Sequence, residues 1–453
     1  MKVQNPLGKD YKDIVLPDHT FVAHMKDPVV VENPREVIMA SLKNPIASES
    51  LEVIAKAKKK PGAKAVIVVS DNTRPVPYKG ESGILLPIVQ SSMDCGYGAS
   101  DITVLVATGM HRPMTEDELK NMIDAKVFEL GIKVVNHEPK NKARLVTIGK
   151  TRRGTNVTID SIYMEADLKI ATGLVESHFM AGASGGRKSI CPGVIGEEST
   201  FIFHGPELMG SPDSRDLLIE GNPVHEESLE IAKMAGVDFI CNVTLDHSFK
   251  ITGVFSGDLE KAHEKAVEKI RETVEVPVPQ KADIVITHAG FVGINHYQVA
   301  KCGVASLGAL KDGGYLISIA DCTDKGHVIG SVNSRVTLTL LKLLGPEKFI
   351  QLLKSPDWVF LPEQWQVQMW ARVFRVTSQD NYYFYAPQID SSWFDSIPGN
   401  DVRKLGCIDD EAYDYNKAIE LAISDIEKRT GKNRKDLTIT FIQEGPYEIP
   451  VAK

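Results

Sequence analysis

Short runs of apolar, largely β-branched residues recur along this chain, and each stops abruptly on glycine or small polar residues. They are AKAVIVVS at 63–70, DITVLVA at 101–107, LKIATG at 168–173, FICNVTL at 239–245, ADIVITHAG at 282–290 and GGYLISIA at 313–320. Runs of that length bounded by turn residues are strands. Helical patterns lie between them: 80–91, the segment EDELKNMIDA opened by a Thr115/Glu118 capping box, 226–235, and the charged stretch 258–275. Further strands are expected at 134–146 and 157–163. Alternating strands and helices make an α/β protein. At 453 residues the chain exceeds one ordinary domain. VPVPQK at 276–281 is unable to form a helix and reads as a linker, and a second α/β unit restarts at Ala282. The expected domains are 1–275 and 282–453.

With 43% hydrophobic and 25% charged residues the chain can bury real cores and is neither disordered nor fibrous. Its net charge of -8 is spread out, with no basic stripe to track a phosphate backbone, so nucleic acid is not an expected partner. The opening residues MKVQNPLGKDYKD lack the apolar core of a signal peptide, and no apolar run reaches the ~18 residues of a membrane helix. Six cysteines without a CxxC pair argue against a disulfide framework or a sulfur-rich zinc site. The expectation is a cytoplasmic protein that uses no membrane.

Strand ends carry the chemistry in α/β proteins. The first delivers DNTRP at 71–75, where Pro75 and Pro77 stop the strand and leave Asp71 and Arg74 on an ordered loop. The second delivers ATGMHRP and puts His111 between strand end and helix start. The third opens 169–204, which sets His178, Lys188 and His204 around Gly182, Gly185 and Gly186. In the second unit, Gln298 and Lys301 project from neighbouring faces near a helix start. The segment 358–374 is rich in aromatics; Trp358 and Trp370 read as core, and Trp365 lies just inside the helical pattern.

Formal motif matches are weaker than this constellation. GASGG at 182–186 fits G-x-S-x-G and leaves a serine hydrolase using Ser184 as an alternative, but SHFMA intervenes after the strand and no HGGG loop appears. Arg187-Lys188-Ser189 imitates a P-loop with arginine where glycine is required. His225-Glu226 and His263-Glu264 lack the second histidine of a zinc protease. Two of the site histidines could act as opposed acid and base near neutral pH, a third could bind a metal, and Arg74 with Lys301 could clamp a carboxylate. That set suggests stereochemical inversion. A non-catalytic cofactor-binding protein is a further alternative, needing Lys188 and His204 but not both other histidines.

DNTRP (71–75), ATGMHRPMT (107–115), SHFMAGASGGRKSICPG (177–193), the downstream His204 and YQVAK (297–301), in this order, resemble the nickel-dependent lactate racemase family. The resemblance implies two Rossmann-like α/β domains with the active site in the cleft between them. It implies nickel and a nickel-pincer nucleotide, a pyridinium mononucleotide tethered covalently to Lys188, with His204 as the protein ligand to nickel. It makes His111 and His178 the catalytic pair and Arg74 the substrate-orienting arginine. Asp71, Gln298 and Lys301 are implied at the cofactor, with Gln298, Lys301 and Trp365 also lining the substrate. The reaction implied is inversion at C2 of a 2-hydroxy acid, lactate or a relative, through a 2-keto acid, as racemase or epimerase, with cofactor-synthesis proteins as partners. The aromatic segment 381–400 departs from the family pattern.

Overall fold

The computed structural model describes all 453 residues and divides into two compact α/β units. One, the histidine unit, is Asp27–His204 with Asp213–Glu272; the other, the C-terminal unit, is Met1–Lys26, Gly205–Pro212 and Thr273–Lys453. Each is described by itself.

The histidine unit is built on strands in the order Ile251–Gly257, Phe239–Leu245, Leu168–Leu174, Ala65–Ser70, Ile102–Ala107 and Lys133–Asn136. All neighbours run parallel except Phe239–Leu245 with Ile251–Gly257. Parallel strands need crossover connections that cover both faces of the sheet, which is why AVIVVS reads as an unbroken apolar run. Ile67, Val69, Val104, Val106 and Ile170 meet Ile38, Leu42, Leu85 and Ile88 in one buried core. Each such side chain contributes about 1.5–3 kcal/mol on burial.

Several boundaries differ from expectation for local reasons. Gly80 sits at φ +72 and Gly83 donates back to its carbonyl, so the helix expected at 80–91 runs Leu85–Asp94 instead. The region 134–146 holds two strands, Lys133–Asn136 and the start of Leu145–Lys150, and the latter pairs antiparallel with Asn156–Asp160. The strand expected at 157–163 stops at Asp160 because its carboxylate caps the helix Ser161–Glu165.

The C-terminal unit carries a fully parallel sheet in the order Asn400–Asp401, Tyr382–Tyr385, Leu310–Ile319, Ala282–His288, Ile439–Ile442 and Phe21–Ala23. Its last strand comes from the start of the chain, with Phe21 in register with Thr440. The continuous span 1–275 expected for a first domain is therefore interrupted: residues 1–26 and 205–212 cluster with 273–453. The expected linker is also structured, since Glu275–Val278 pairs parallel with Ile449–Ala452 and buries Val276 and Val278. Proline is compatible with such an edge strand. The segment 381–400 supplies the buried strand Tyr382–Tyr385 and ends at the edge strand Asn400–Asp401.

A hairpin of Lys2–Leu7 and Asp10–Val15 precedes this sheet. Its turn glycine, Gly8, has φ +61 and donates to the Gly290 carbonyl at 3.4 Å. All six cysteines are free thiols, five of them buried. No helix is long and apolar enough to cross a membrane.

Candidate active site

In the histidine unit three strand ends converge chemically. Ala65–Ser70 runs into a tight turn in which Arg74 N–H donates to the Asp71 carbonyl, and Asp71 Oδ1 accepts from Thr73 N at 3.2 Å and Thr73 Oγ1 at 2.6 Å. Its other oxygen, Oδ2, lies 2.7 Å from Nδ1 of His111. The Asp71 side chain is 5% exposed and that of His111 56%. Burial opposes ionisation of Asp71, but the bond and charge of His111, with the bonds from Thr73, outweigh it and hold the carboxyl below its usual range. Asp71, expected at the cofactor, thus stands behind His111.

Beyond Ile102–Ala107 the loop is pinned by Gly109 N–H to the Gly193 carbonyl and His111 N–H to that of Thr108. Beyond Leu168–Leu174 the chain forms a two-residue ladder, Ser177–His178 against Gly182–Ala183. Nδ1 of His178 lies 3.2 Å from both the Met180 and the Ala181 amide nitrogens. Arg74 Nε approaches Glu176 Oε1 at 3.4 Å. Glu176 escaped the sequence reading, although a carboxylate two residues before a strand-end histidine is itself a signal.

The glycine-rich turn requires its glycines. Gly185 has φ +71, and a Cβ there would lie 2.6 Å from both Asn242 Oδ1 and Val175 Cγ2. Asn242 Oδ1 accepts from Gly186 N–H at 2.9 Å, fixing the turn Gly186–Ser189 that carries Lys188. Buried Arg187 staples it further, donating to the Ala181 carbonyl at 2.7 Å with His263 Nε2 at 3.0 Å from Nη1. Burial pushes the Arg187 guanidinium down to about 9. The Lys188 amine is held well below its usual value, by burial first and then by the charges of Arg74 and Arg187. His204, capping the helix Glu197–Phe203, is pushed down to about 3 by burial and then by Lys188, with a bond to the Thr200 carbonyl opposing and His111 adding to the depression. The Lys188 amine and the His204 imidazole thus lie within each other's field, and burial disfavours the charged form of each.

Ser184 is a structural pin. Its Oγ donates to the Leu174 carbonyl at 2.7 Å and accepts from Glu176 N–H at 2.9 Å, and the nearby His263 bonds its backbone carbonyl instead. No imidazole serves the hydroxyl, so the hydrolase alternative loses its base.

Gln298, Lys301 and Trp365 belong to the C-terminal unit. Asn295 caps the helix His296–Ala305, accepting from Gln298 N–H at 3.0 Å, and Lys301 follows one turn on. Gln298 Oε1 is buried without a hydrogen-bond partner. Trp365, near the start of the helix Gln364–Val376, donates Nε1–H to the Tyr297 hydroxyl at 2.8 Å. Trp370 is core, as expected, while Trp358 is half-buried and donates to Gln364.

Comparison with known proteins decides the family. Residues 7–216 match the model of the lactate racemase N-terminal domain. The lactate racemase of Thermoanaerobacterium thermosaccharolyticum is 33% identical over 408 residues, 84% of this chain and 89% of that protein. That of Lactiplantibacillus plantarum is 34% identical over 341 residues, 75% of this chain and 77% of that protein. This chain belongs to the lactate racemase family. Family members are isomerases, and the chain is an enzyme of that class. Its α/β fold agrees with the lactate racemase apoprotein structure from T. thermosaccharolyticum, at a TM-score of 0.84 and 28% identity, covering 99% of this chain and 100% of that one. A Thermotoga maritima protein at TM-score 0.59 and 18% identity shares the fold alone.

Proposed function

We propose that this family member inverts C2 of a 2-hydroxy acid, lactate or a related hydroxycarboxylate, by hydride transfer to and from a nickel-pincer nucleotide through a 2-keto acid. The observation that carries the reading is the buried Lys188 on its fixed turn, with buried His204 within its field and the Asp71–His111 pair in the same unit. A covalent tether needs an unprotonated amine as nucleophile, and a nickel ligand needs an imidazole nitrogen that is not protonated. Burial favours the uncharged form of both groups here. No three histidine, cysteine, aspartate or glutamate side chains converge on a metal position, and on this reading His204 would be the one protein ligand to nickel.

The residues of the histidine unit thus fit the group: Lys188 would tether it and His204 would ligate nickel, while the roles of Gln298 and Lys301 at the cofactor rest on the family resemblance alone. Bound there, it supplies a reversible hydride acceptor, avoiding a carbanion at a carbon that is a poor acid. The chain supplies the rest. Arg74 binds the substrate carboxylate, its guanidinium steadied by Glu176 until substrate arrives. His111 and His178 handle the hydroxyl proton.

The test is intact-protein mass and nickel content of protein co-produced with cofactor-synthesis proteins, for the parent and Lys188→Ala, followed by chiral assay of 2-hydroxy acids. The reading expects a mononucleotide adduct and stoichiometric nickel on the parent, neither on the variant, and interconversion of enantiomers by the loaded parent alone. An unmodified, nickel-free parent made beside a loaded family member would overturn the tether, and a loaded parent that inverts no 2-hydroxy acid would favour the cofactor-binding alternative.

A further inference from the structure

Arg187 is buried, 1% exposed, and its partners are two backbone carbonyls and an imidazole, with no carboxylate among them. Nη2 donates to the Ala181 carbonyl at 2.7 Å, Nη1 donates to that of Gly185 at 3.4 Å, and Nη1 lies 3.0 Å from Nε2 of His263. Neither carbonyl needs the guanidinium to be satisfied. That of Ala181 also accepts from Ala183 N–H at 2.9 Å, and that of Gly185 from Lys188 N–H at 3.0 Å. Taking a guanidinium out of water without a counter-charge is costly, and an apolar side chain of similar length would fill the same space without that cost. What the apolar chain lacks is the fork. A guanidinium holds several N–H groups at fixed angles and so bonds two loops at once, which the single head of a lysine does not do in the same geometry.

The two loops are those that carry His178 and Lys188. Ala181 lies between the ring and the fork: its N–H donates to Nδ1 of His178 at 3.2 Å, and its carbonyl accepts from Arg187. Gly185 opens the turn Gly186–Ser189, and the carbonyl that closes this turn on Lys188 N–H is the second one the guanidinium meets. His263 backs the arrangement from the helix Lys261–Val274. Its Nε2 also lies 2.9 Å from the Ser184 carbonyl, and a Cβ at Gly186 would come within 2.8 Å of its ring, so the ring lies directly on the turn.

We infer that Arg187 is a positioning residue: through the Ala181 and Gly185 carbonyls it fixes the Lys188 turn against the His178 loop, so that a group tethered at Lys188 keeps one spacing from the His178 loop. The use made of that spacing rests on the inversion reading above; the clamp itself is present in the chain without a bound group.

Two variants separate the fork from the charge. Arg187→Met keeps the length and removes every donor, whereas Arg187→Lys keeps a cation and removes the fork. Hydrogen exchange in the full, unloaded chain, read at the Met180 and Ala181 amides that face His178, reports local opening of that loop without turnover. A hydrogen bond from a charged group is worth about tenfold or more in such an equilibrium. Both variants should exchange these two amides about tenfold faster than the parent, while amides of the strand Leu168–Leu174 keep parent rates and the urea midpoint stays close to that of the parent. In protein co-produced with cofactor-synthesis proteins, kcat per adduct-bearing chain should fall about tenfold with KM near the parent value, as expected of a misplaced group rather than of lost substrate binding.

Parent exchange rates at Met180 and Ala181 in both variants overturn the clamp. Faster exchange in Arg187→Met alone, with Arg187→Lys like the parent, assigns the effect to charge and overturns the fork. A uniform rise of exchange across the unit with a lower urea midpoint, or failure of both variants to fold, makes Arg187 a residue of the core and overturns the positioning role; if only Arg187→Met fails to fold, Arg187→Lys gives the same readings. A parent that takes up no adduct or inverts no 2-hydroxy acid overturns the inversion reading and leaves the exchange result standing.

Discussion

The two units present the same kind of edge and treat it in opposite ways. Each has a six-stranded sheet of mostly parallel strands whose C-terminal ends carry polar residues, where α/β proteins build sites. In the C-terminal unit that edge is consumed by the chain itself. His288 ends the strand Ala282–His288, donates from Nε2 to the Gln443 carbonyl at 2.7 Å and accepts at Nδ1 from Gly290 N–H at 3.2 Å. Asp321 bonds Gln388, and the Gly8 turn of the N-terminal hairpin sits against it. In the histidine unit, His111 is bonded to Asp71 on one side and is half exposed on the other. Topology names the edge; which side chains keep an unspent polar face names the site.

The largest expected effect separates these two strand-end histidines. His111→Gln removes the proton acceptor and should lower kcat of the loaded enzyme by about 10³-fold, within the range general bases contribute. His288→Gln should lower Tm and leave kcat close to that of the parent, because both ring nitrogens already serve the backbone. Equal losses in a chiral 2-hydroxy acid assay would break the comparison.

Next comes Gly8→Ala, which probes the plug. At φ +61 a Cβ is strained, and here it would lie 1.8 Å from Asp321 Oδ2. Left-handed strain and overpacking together should cost about 2–4 kcal/mol in urea denaturation. A neutral outcome would mean that the hairpin does not seat on the strand ends as described.

How much of this was legible beforehand divides along the same line. The strands Ala65–Ser70, Ile102–Ala107, Phe239–Leu245 and Ala282–His288 are visible because burial on both faces leaves uninterrupted apolar runs, and the Thr115/Glu118 box is visible because capping is local. Phe21–Ala23 is not: three residues carry no period, and their register comes from Thr440, far along the chain. Prolines hid Glu275–Val278, since an edge strand tolerates what a central one forbids. At the site, residue types and strand-end positions were readable, and the structure gathers Asp71, Arg74, His111, His178, Lys188 and His204 in one unit. Their electrical state was not readable. The depressed Lys188 amine, the Asp71 backing of His111 and the paired amides on His178 all depend on burial and on neighbours distant in sequence.

The smallest effect tests a polar group that neither edge uses. His296 is 1% exposed, stacks on Trp370 at 5.1 Å and meets Phe384 edge-on, and neither ring nitrogen has a hydrogen-bond partner. Burial alone pushes it down to about 3. His296→Phe keeps an aromatic ring between aromatic neighbours and removes two unpaired nitrogens, so it should gain about 1 kcal/mol at neutral pH. The sign with pH follows from linkage. Between the folded value of about 3 and the unfolded value of ~6.5, the unfolded chain binds the extra proton, so the parent loses stability as pH falls through that window. The variant has no such proton to take up, and its advantage should widen below pH ~6.5 by up to about 1.4 kcal/mol per pH unit. Urea midpoints of parent and variant at pH 7.5 and 5.5, roughly one unit either side of that value, measure it. An advantage that stays constant between them would mean that the His296 ring finds a proton acceptor within the fold, and the contrast between spent and unspent polar groups would then have to be redrawn for this unit.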